Sequence, residues 1–362
     1  MKLADLVSRF ERLAPSCFAE SWDNTGLLAG DLGRHAKTVL TTIDLTRAVL
    51  SEALSVGADV VYAYHPPLFK PIKRLVMPNV TFEAISRGIA IYSPHTALDV
   101  ADGGTNDVLA DACAMVSRRP LRMVPSPETH AKLVVFVPAH ALDALSEAMF
   151  AAGAGVIGEY THCSFRTLGT GTFFGNPSTN PAVGERGRLE NVEETKVEVV
   201  VPLSKLDAVL AVMRALHPYE EPAYDLVRLV PTPEDRGIGR VGEVASTTLG
   251  ALTAQLKQFF QVPAVLYVGQ MDTPLSRVAV AAGSGADLLH DAITQRADAF
   301  VTGELRHHDA LLAAEANIAV ICLRHSVSER RALDGVVARL GAACEGVSFL
   351  RSAVDRDPFE FA

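Results

Sequence analysis

The sequence predicts an α/β protein whose main domain is interrupted by a smaller α+β insertion. Three observations lead there. At both ends of the chain, apolar runs alternate with stretches of helical periodicity, the mark of strand–helix units on a mostly parallel sheet. The middle of the chain changes texture and carries a weak internal repeat. And 362 residues, 49% hydrophobic and 21% charged, supply core material for roughly two or three domains.

The elements follow in order. MKLADLVSRFERLAP is amphipathic and broken by charge, so it is a helix rather than a signal peptide. KTVLTTIDLT predicts a strand, RAVLSEALSVGAD a helix and VVYAYHPP a second strand. TFEAISRGI predicts a helix and AIYSPHTALDV a further strand. In the middle segment, LVVFVPAHALDALSEAMFAAGA and VEVVVPLSKLDAVLAVMRALHP both run strand, Val-Pro, amphipathic helix. Between them GEYTHCSFRTLGTGTFF alternates like antiparallel strands, and GNPSTNPAVGERG is a loop. Two strand–helix halves with added strands make a ferredoxin-like module. Beyond it, SRVAVAAGSG, ADAFVTGEL and AVICLRHS predict strands, separated by the helices ADLLHDAITQR and HHDALLAAEA. SERRALDGVVARLGAA predicts a long final helix. The preferred organisation is one discontinuous domain, 1–128 with 231–362, split by an insert over 129–230; three domains in series is the alternative.

The totals narrow the function. A net charge of -9 argues against a nucleic-acid surface as the main business. Five scattered cysteines with no CxxC fit a reducing compartment, and no apolar run is long enough to span a bilayer. A cytoplasmic protein is the expectation.

Chemistry concentrates at predicted strand ends, where open α/β sheets carry their ligands. VVYAYHPP delivers His65, followed by two prolines that cannot continue a ladder. IYSPHTALDV delivers His95 and Asp99, the latter in apolar company and in need of a cation, a donor or a proton. AVICLRHSVSER delivers His325 and Glu329, whose i, i+4 spacing puts both on one helical face. Taken singly, each has an ordinary reading: a turn histidine, a capping aspartate, a helix N-terminus with a favourable acid. Together, His65, Asp99, His325 and Glu329 are two imidazoles and two carboxylates, a donor set for zinc, iron or manganese. Two carboxylates able to bridge allow a dinuclear centre, two ions per chain. His95 is ambiguous between binding and orienting a ligand. His308 reads equally as a ligand-orienting group or a solvated helix start. Glu304 reads first as a helix-terminal carboxylate and second as a general base. The Trp22-Asp23-Asn24 turn is expected to pack its indole in the core, ahead of a place near the site. Gly283-Ser284-Gly285 reads as a strand-to-helix turn ahead of a phosphate cradle. HPYEEPAYD, with His217, Glu220, Glu221 and Asp225, reads as a structured loop ahead of the lining of a small-molecule or interface site in the insert.

ESWDNTGLLAG, TTIDLT, YHPPLFKPIKRL, SPHTALDVADGGTND, HPYEEPAYD, GSGADLL, VTGELRHHDAL and RHSVSER, in this order, resemble the NIF-three-like family, also called GTP cyclohydrolase I type II homologues, from about Leu3 to Val354. The resemblance implies a NIF-three-like split α/β domain with a PII-like insert. It implies a homohexameric toroid with metal pairs facing its cavity, and metal ligands at His65, Asp99, His325 and Glu329. It departs at Tyr64, where many members have a first histidine. A phenol is a poor ligand, so one ion would be weaker, completed by water or absent, or Tyr64 would face substrate or orient a neighbour. The implied function is a metal-dependent hydrolase acting on a nucleotide-like or phosphorylated small molecule through a di-metal-activated water. The alternative is a non-catalytic metal-binding or regulatory assembly whose insert senses a ligand.

Overall fold

A computed structural model describes residues 1–124, 130–230 and 236–360. Contacts divide the chain into two compact units, Met1–Val124 with Pro233–Ala362, and Pro125–Thr232. The expected joins fall at residues 128–129 and at 231, outside the described residues.

The first unit holds two sheets. One runs β1 (Gly26–Ala29), β4 (Ala90–Ser93), β3 (Val60–Ala63), β2 (Thr38–Thr42) and β15 (Ser348–Arg351), parallel except at β1. Its strands are continuous apolar runs because helices cover both faces. Along β3 and just beyond, Val60, Tyr62 and Tyr64 join a core with Leu6 and Phe10 of the helix Leu3–Leu13 and Leu333 and Val336 of the helix Ala332–Ala343. Val61 and Ala63 face the opposite core with Val49 and Leu50 of the helix Arg47–Ser55.

The other sheet runs β11 (Leu266–Val268), β14 (Ala319–Cys322), β13 (Ala299–Glu304), β12 (Pro274–Ser284), β10 (Gly237–Thr248) and β5 (Val116–Met123). Its centre, β14-β13-β12, is parallel. Here too alternate residues serve two cores: Val301 and Ile321 in one, Phe300 and Val320 in the other.

The second unit folds as β6 (His130–Pro138), the helix Leu142–Ala151, β7 (Phe165–Phe174), β8 (Leu189–Pro202), the helix Leu206–Leu216 and β9 (Tyr224–Arg228). Sheet order β7-β8-β6-β9, antiparallel throughout, is the β-α-β-β-α-β ferredoxin-like arrangement. The expected strand within 158–164 is absent; the alternation becomes a ladder only from Phe165.

Among the described residues, no helix is long and apolar enough to cross a membrane. Among the described residues, no disulfide joins the cysteines.

Candidate metal centre

Parallel strands put their carboxyl ends on one edge of each sheet, and the histidines sit there. After β3, the backbone N–H groups of Tyr64 and His65 continue the ladder to Thr42 and Ile43 at 2.9 and 3.0 Å before Pro66 ends it. After β14, Leu323 and Arg324 do the same to Thr302 and Gly303. Arg324 takes φ 82 and ψ 148, a conformation that strains a side-chain-bearing residue, and the helix His325–Arg330 starts there.

His65, His325 and Glu329 come together. One ligand atom from each lies within 4.8 Å of the others. His325 Nε2 is 3.3 Å from Glu329 Oε1, and His65 Nε2 is 3.4 Å from Glu329 Oε2. The latter pair is close enough to attract but lacks hydrogen-bond geometry: both atoms are sealed from solvent and have no hydrogen-bond partner. Each imidazole is held at its far side by an acid. His65 Nδ1 is 2.9 Å from Asp44 Oδ1, and His325 Nδ1 is 3.0 Å from Glu304 Oε1. That arrangement fixes ring orientation and leaves Nε2 facing the centre, the support ligating histidines ordinarily have. Burial pulls the His65 value down, but the hydrogen bond to Asp44 and the attraction of Glu329 and Asp44 outweigh it and carry it up to about 10. Burial lifts Asp44, yet the hydrogen bond and charge of His65 leave it below its ordinary value.

The backbone makes room for this cluster. A Cβ on Gly283 would stand 2.4 Å from Glu329 Oε1, and Gly283 has φ +67. Two imidazole nitrogens and a carboxylate converge, with His65 Nε2 and Glu329 Oε2 orphaned, and they fit a borderline divalent ion such as zinc, iron or manganese.

Asp99 is not among the three. AIYSPHTALDV does not run as one strand: β4 stops at Ser93, and Pro94 caps a helix, His95–Val100. Proline cannot extend a ladder, so the run that looks extended in sequence curls. His95 and Asp99 then take different partners. His95 Nδ1 meets Asp23 Oδ1 at 2.7 Å. Asp99 Oδ1 accepts from the Tyr64 hydroxyl at 2.6 Å and from the Thr105 hydroxyl. Burial raises Asp99 to about 6, against the pull of those hydroxyls, with the Glu329 charge adding to the rise. Burial, and then the charges of Asp99 and Glu329, hold the Tyr64 phenol well above its ordinary value, so it keeps its proton. Tyr64, His95 and Asp99 line a cavity of about 570 Å³ with His65 and Glu329. A second cavity of about 490 Å³, lined by Asp44, His65, Glu304 and His325, lies on the other side of the imidazoles.

The remaining expectations divide. Trp22 is not in a core: its indole is 58% exposed at the larger cavity, edge-on to Phe69 and His95. The turn that carries it is pinned by Asp23 to His95 and Thr96, which leaves the ring outside. His308 is exposed and touches His307. The Gly283 and Gly285 N–H groups are spent on Ser328 Oγ and the Glu304 carbonyl, so this stretch is a turn. Glu304 is neither helix-terminal nor free, since it faces His325. His217 is a structural histidine: Nδ1 accepts from the Tyr219 N–H, and Nε2 then donates to the Phe136 carbonyl. Sequence reasoning missed Asp44 and Asp23. Asp44 had a signal, standing where the apolar run of β2 ends.

The family described as Duf34/NIF3 (NGG1p interacting factor 3) matches residues 1–358. A Halalkalibacterium halodurans protein named GTP cyclohydrolase 1 type 2 homolog is 37% identical over 373 residues, spanning 100% of both chains. A Bacillus subtilis protein of the same name is 36% identical over 98% of this chain and 97% of its own. Among solved structures, a Bacillus cereus protein related to NIF3 superposes with a TM-score of 0.75 at 33% identity, covering 100% of this chain and 99% of its own. A Staphylococcus aureus protein superposes with a TM-score of 0.84 at 27% identity and the same coverage.

Proposed function

The chain belongs to the Duf34/NIF3 family, and we propose that it is a metal-dependent hydrolase acting on a nucleotide-like or phosphorylated small molecule. The observation that carries this is the convergence of His65, His325 and Glu329, with both imidazoles backed by acids. A bound divalent ion would supply Lewis acidity and acidify a water. The chain does the rest. In the neutral rings, Asp44 and Glu304 accept hydrogen bonds from Nδ1–H and leave each Nε2 as a lone pair. Trp22 and Phe69, half-exposed at the larger cavity, offer aromatic faces to a planar ring. His95 and Asp99 supply polar groups to the same cavity.

The second reading, a regulatory assembly, is favoured by a cavity of about 460 Å³ in the inserted unit, lined by Phe136, Phe173, Glu194 and Tyr219. One experiment separates the two. Glu329→Gln is compared with the wild type for metal content and for turnover of a nucleoside triphosphate and phosphomonoester panel. The hydrolase reading expects metal loss and turnover reduced at least ~100-fold, the upper scale for loss of a mere orienting partner. Metal that falls in the variant, with no wild-type turnover on any substrate, supports the regulatory reading instead.

A further inference from the structure

We infer that the inserted unit carries a ligand site of its own, a cavity suited to an organic cation: an ammonium or amidinium-type group on an apolar body. The inference does not depend on the metal centre, and it gives the ligand-sensing reading of the insert a chemical class.

The cavity lies on the face of the insert's sheet that its helices leave bare. Both helices pack on the other face, where Leu145, Met149, Val209 and Met213 meet Val135, Val137 and Val197. Side chains alternate along a strand, so Phe136 of β6 and Glu194 of β8 point away from that core. Phe173 of β7 stands opposite Glu190 and therefore shares the face of Glu194. With Tyr219, Glu220 and Glu221 these side chains line about 460 Å³. The turn that brings Tyr219 is fixed: its N–H donates to His217 Nδ1 at 3.1 Å, and the two rings meet edge-on at 5.0 Å.

The charge of the cavity has one sign. Glu194, Glu220 and Glu221 line it, and no lysine, arginine or histidine does. The backbone makes way for the half-buried member: a Cβ on Gly171 would stand 2.2 Å from Glu194 Oε2. Carboxylates beside the half-buried rings of Phe136 and Phe173 are poorly solvated and repel one another, and a cation relieves both costs. The same rings, with Tyr219, offer π faces to a cationic head and apolar area to its body. A bare metal ion suits the place less. Among the described residues, only His65, His325 and Glu329 form a group of three ligand atoms within 4.8 Å of one another, so the three carboxylates here do not converge on one ion. The Tyr219 hydroxyl is sealed from solvent without a hydrogen-bond partner, and burial and then the Glu194 carboxylate keep its proton in place. An unmade bond of this kind at a cavity wall is one that a bound polar group can complete.

The test is calorimetric titration of the full-length protein with tryptamine, with benzamidine, and with indole-3-propionate, which has the ring of tryptamine and the opposite charge. The wild type is expected to bind at least one of the two cations and not the anion. Glu194→Gln, isosteric with the native side chain, should weaken cation binding at least ~10-fold, the scale on which a close charge pair acts. Gly171→Ala, which crowds Glu194, should weaken it too. Glu193→Gln makes the same change in net charge one residue away, outside the cavity lining, and should leave it unchanged. Thermal melts confirm that each variant is folded, and metal content, measured on the same samples, should match the wild type in all three. Binding of the anion as tightly as tryptamine would overturn the cation class while leaving a ligand-sensing insert. Binding of neither cation, or equal weakening in Glu193→Gln and Glu194→Gln, would overturn the site. Binding of neither cation together with a Phe173→Glu variant of lower assembly mass would assign the cavity to a second copy of the chain instead. Failure of the metal reading would show separately, as a wild type without metal.

Discussion

At His65 two acids hold one proton, and this sets how the site should respond to pH. Asp44 and Glu329 carry the imidazole up to about 10, so the metal-free protein keeps that proton at neutrality. The sign follows. A folded-state value above the unfolded one, ~6.5, stabilises the fold fully below ~6.5 and loses that contribution as pH rises toward about 10. An ion needs the neutral ring, so binding must expel the proton. Metal affinity should therefore rise with pH across that window, with release of close to one proton per ion from His65. Calorimetry in buffers of different ionisation heat measures this; proton release independent of pH would contradict it. Asp44→Asn removes one of the two acids and the anchor at Nδ1. Affinity should fall by roughly 10–100-fold and the pH window should narrow.

At the scale of elements, the two halves of the site come from different sheets and are tied by the chain's last described stretch. His65 and Asp44 follow strands of the first sheet; His325 and Glu329 follow β14 of the second. After β15, Ser352 bonds the Thr41 carbonyl, and Asp355 Oδ2 accepts from the Ile43 N–H at 3.0 Å while pairing with Arg330. Asp357 then accepts from Ser326 at 3.0 Å, and Arg324 reaches the Phe359 carbonyl at 2.6 Å. This strap runs from beside Asp44 to the helix that carries His325 and Glu329. Asp355→Ala removes the carboxylate paired with the Arg330 guanidinium, which is 18% exposed and retains a hydrogen bond to Ser326 Oγ. It should cost roughly 3 kcal/mol of stability, the lower end for breaking a buried pair. Metal affinity should fall with it, read together by denaturant melts and metal titration; an unchanged metal Kd in a destabilised variant would reduce the strap to a scaffold. The strap was not legible in sequence, because DRDPFE has no periodicity and its meaning lies in joining Ile43, 312 residues away from Asp355, to Ser326 and Arg330. The elements around it were legible, since strands buried on both faces give unbroken apolar runs. His65, His325 and Glu329 stood out for the same reason, as polar groups where such runs end. Asp99 stood out too, but one β-like reading through Pro94 hid the helix, and only the fold shows that Tyr64 and Thr105 claim it.

At the scale of the whole molecule, the three converging donors His65, His325 and Glu329 all come from one chain and one compact unit. We propose that assembly uses a surface of the inserted unit. Phe174 and Leu189 face each other across β7 and β8, 58% and 64% exposed, and Leu168 farther along β7 is 82% exposed. Large apolar side chains left this open on a sheet that ends in an edge strand invite a partner, and the partner we propose is a second copy, toward the hexamer the family resemblance implies. Light scattering on an eluting sample measures the mass directly. The wild type should elute with the mass of six chains, and Leu189→Glu should lower it by placing a charge in the contact. The same fractions can be assayed for metal. A smaller assembly that keeps its full metal content is the expected result, because His65, His325 and Glu329 do not rely on a neighbour. A wild type that runs as one chain would end the hexamer proposal while leaving the metal centre as it stands. Loss of metal along with assembly would mean that a neighbouring copy completes the site, against the one-chain geometry of His65, His325 and Glu329.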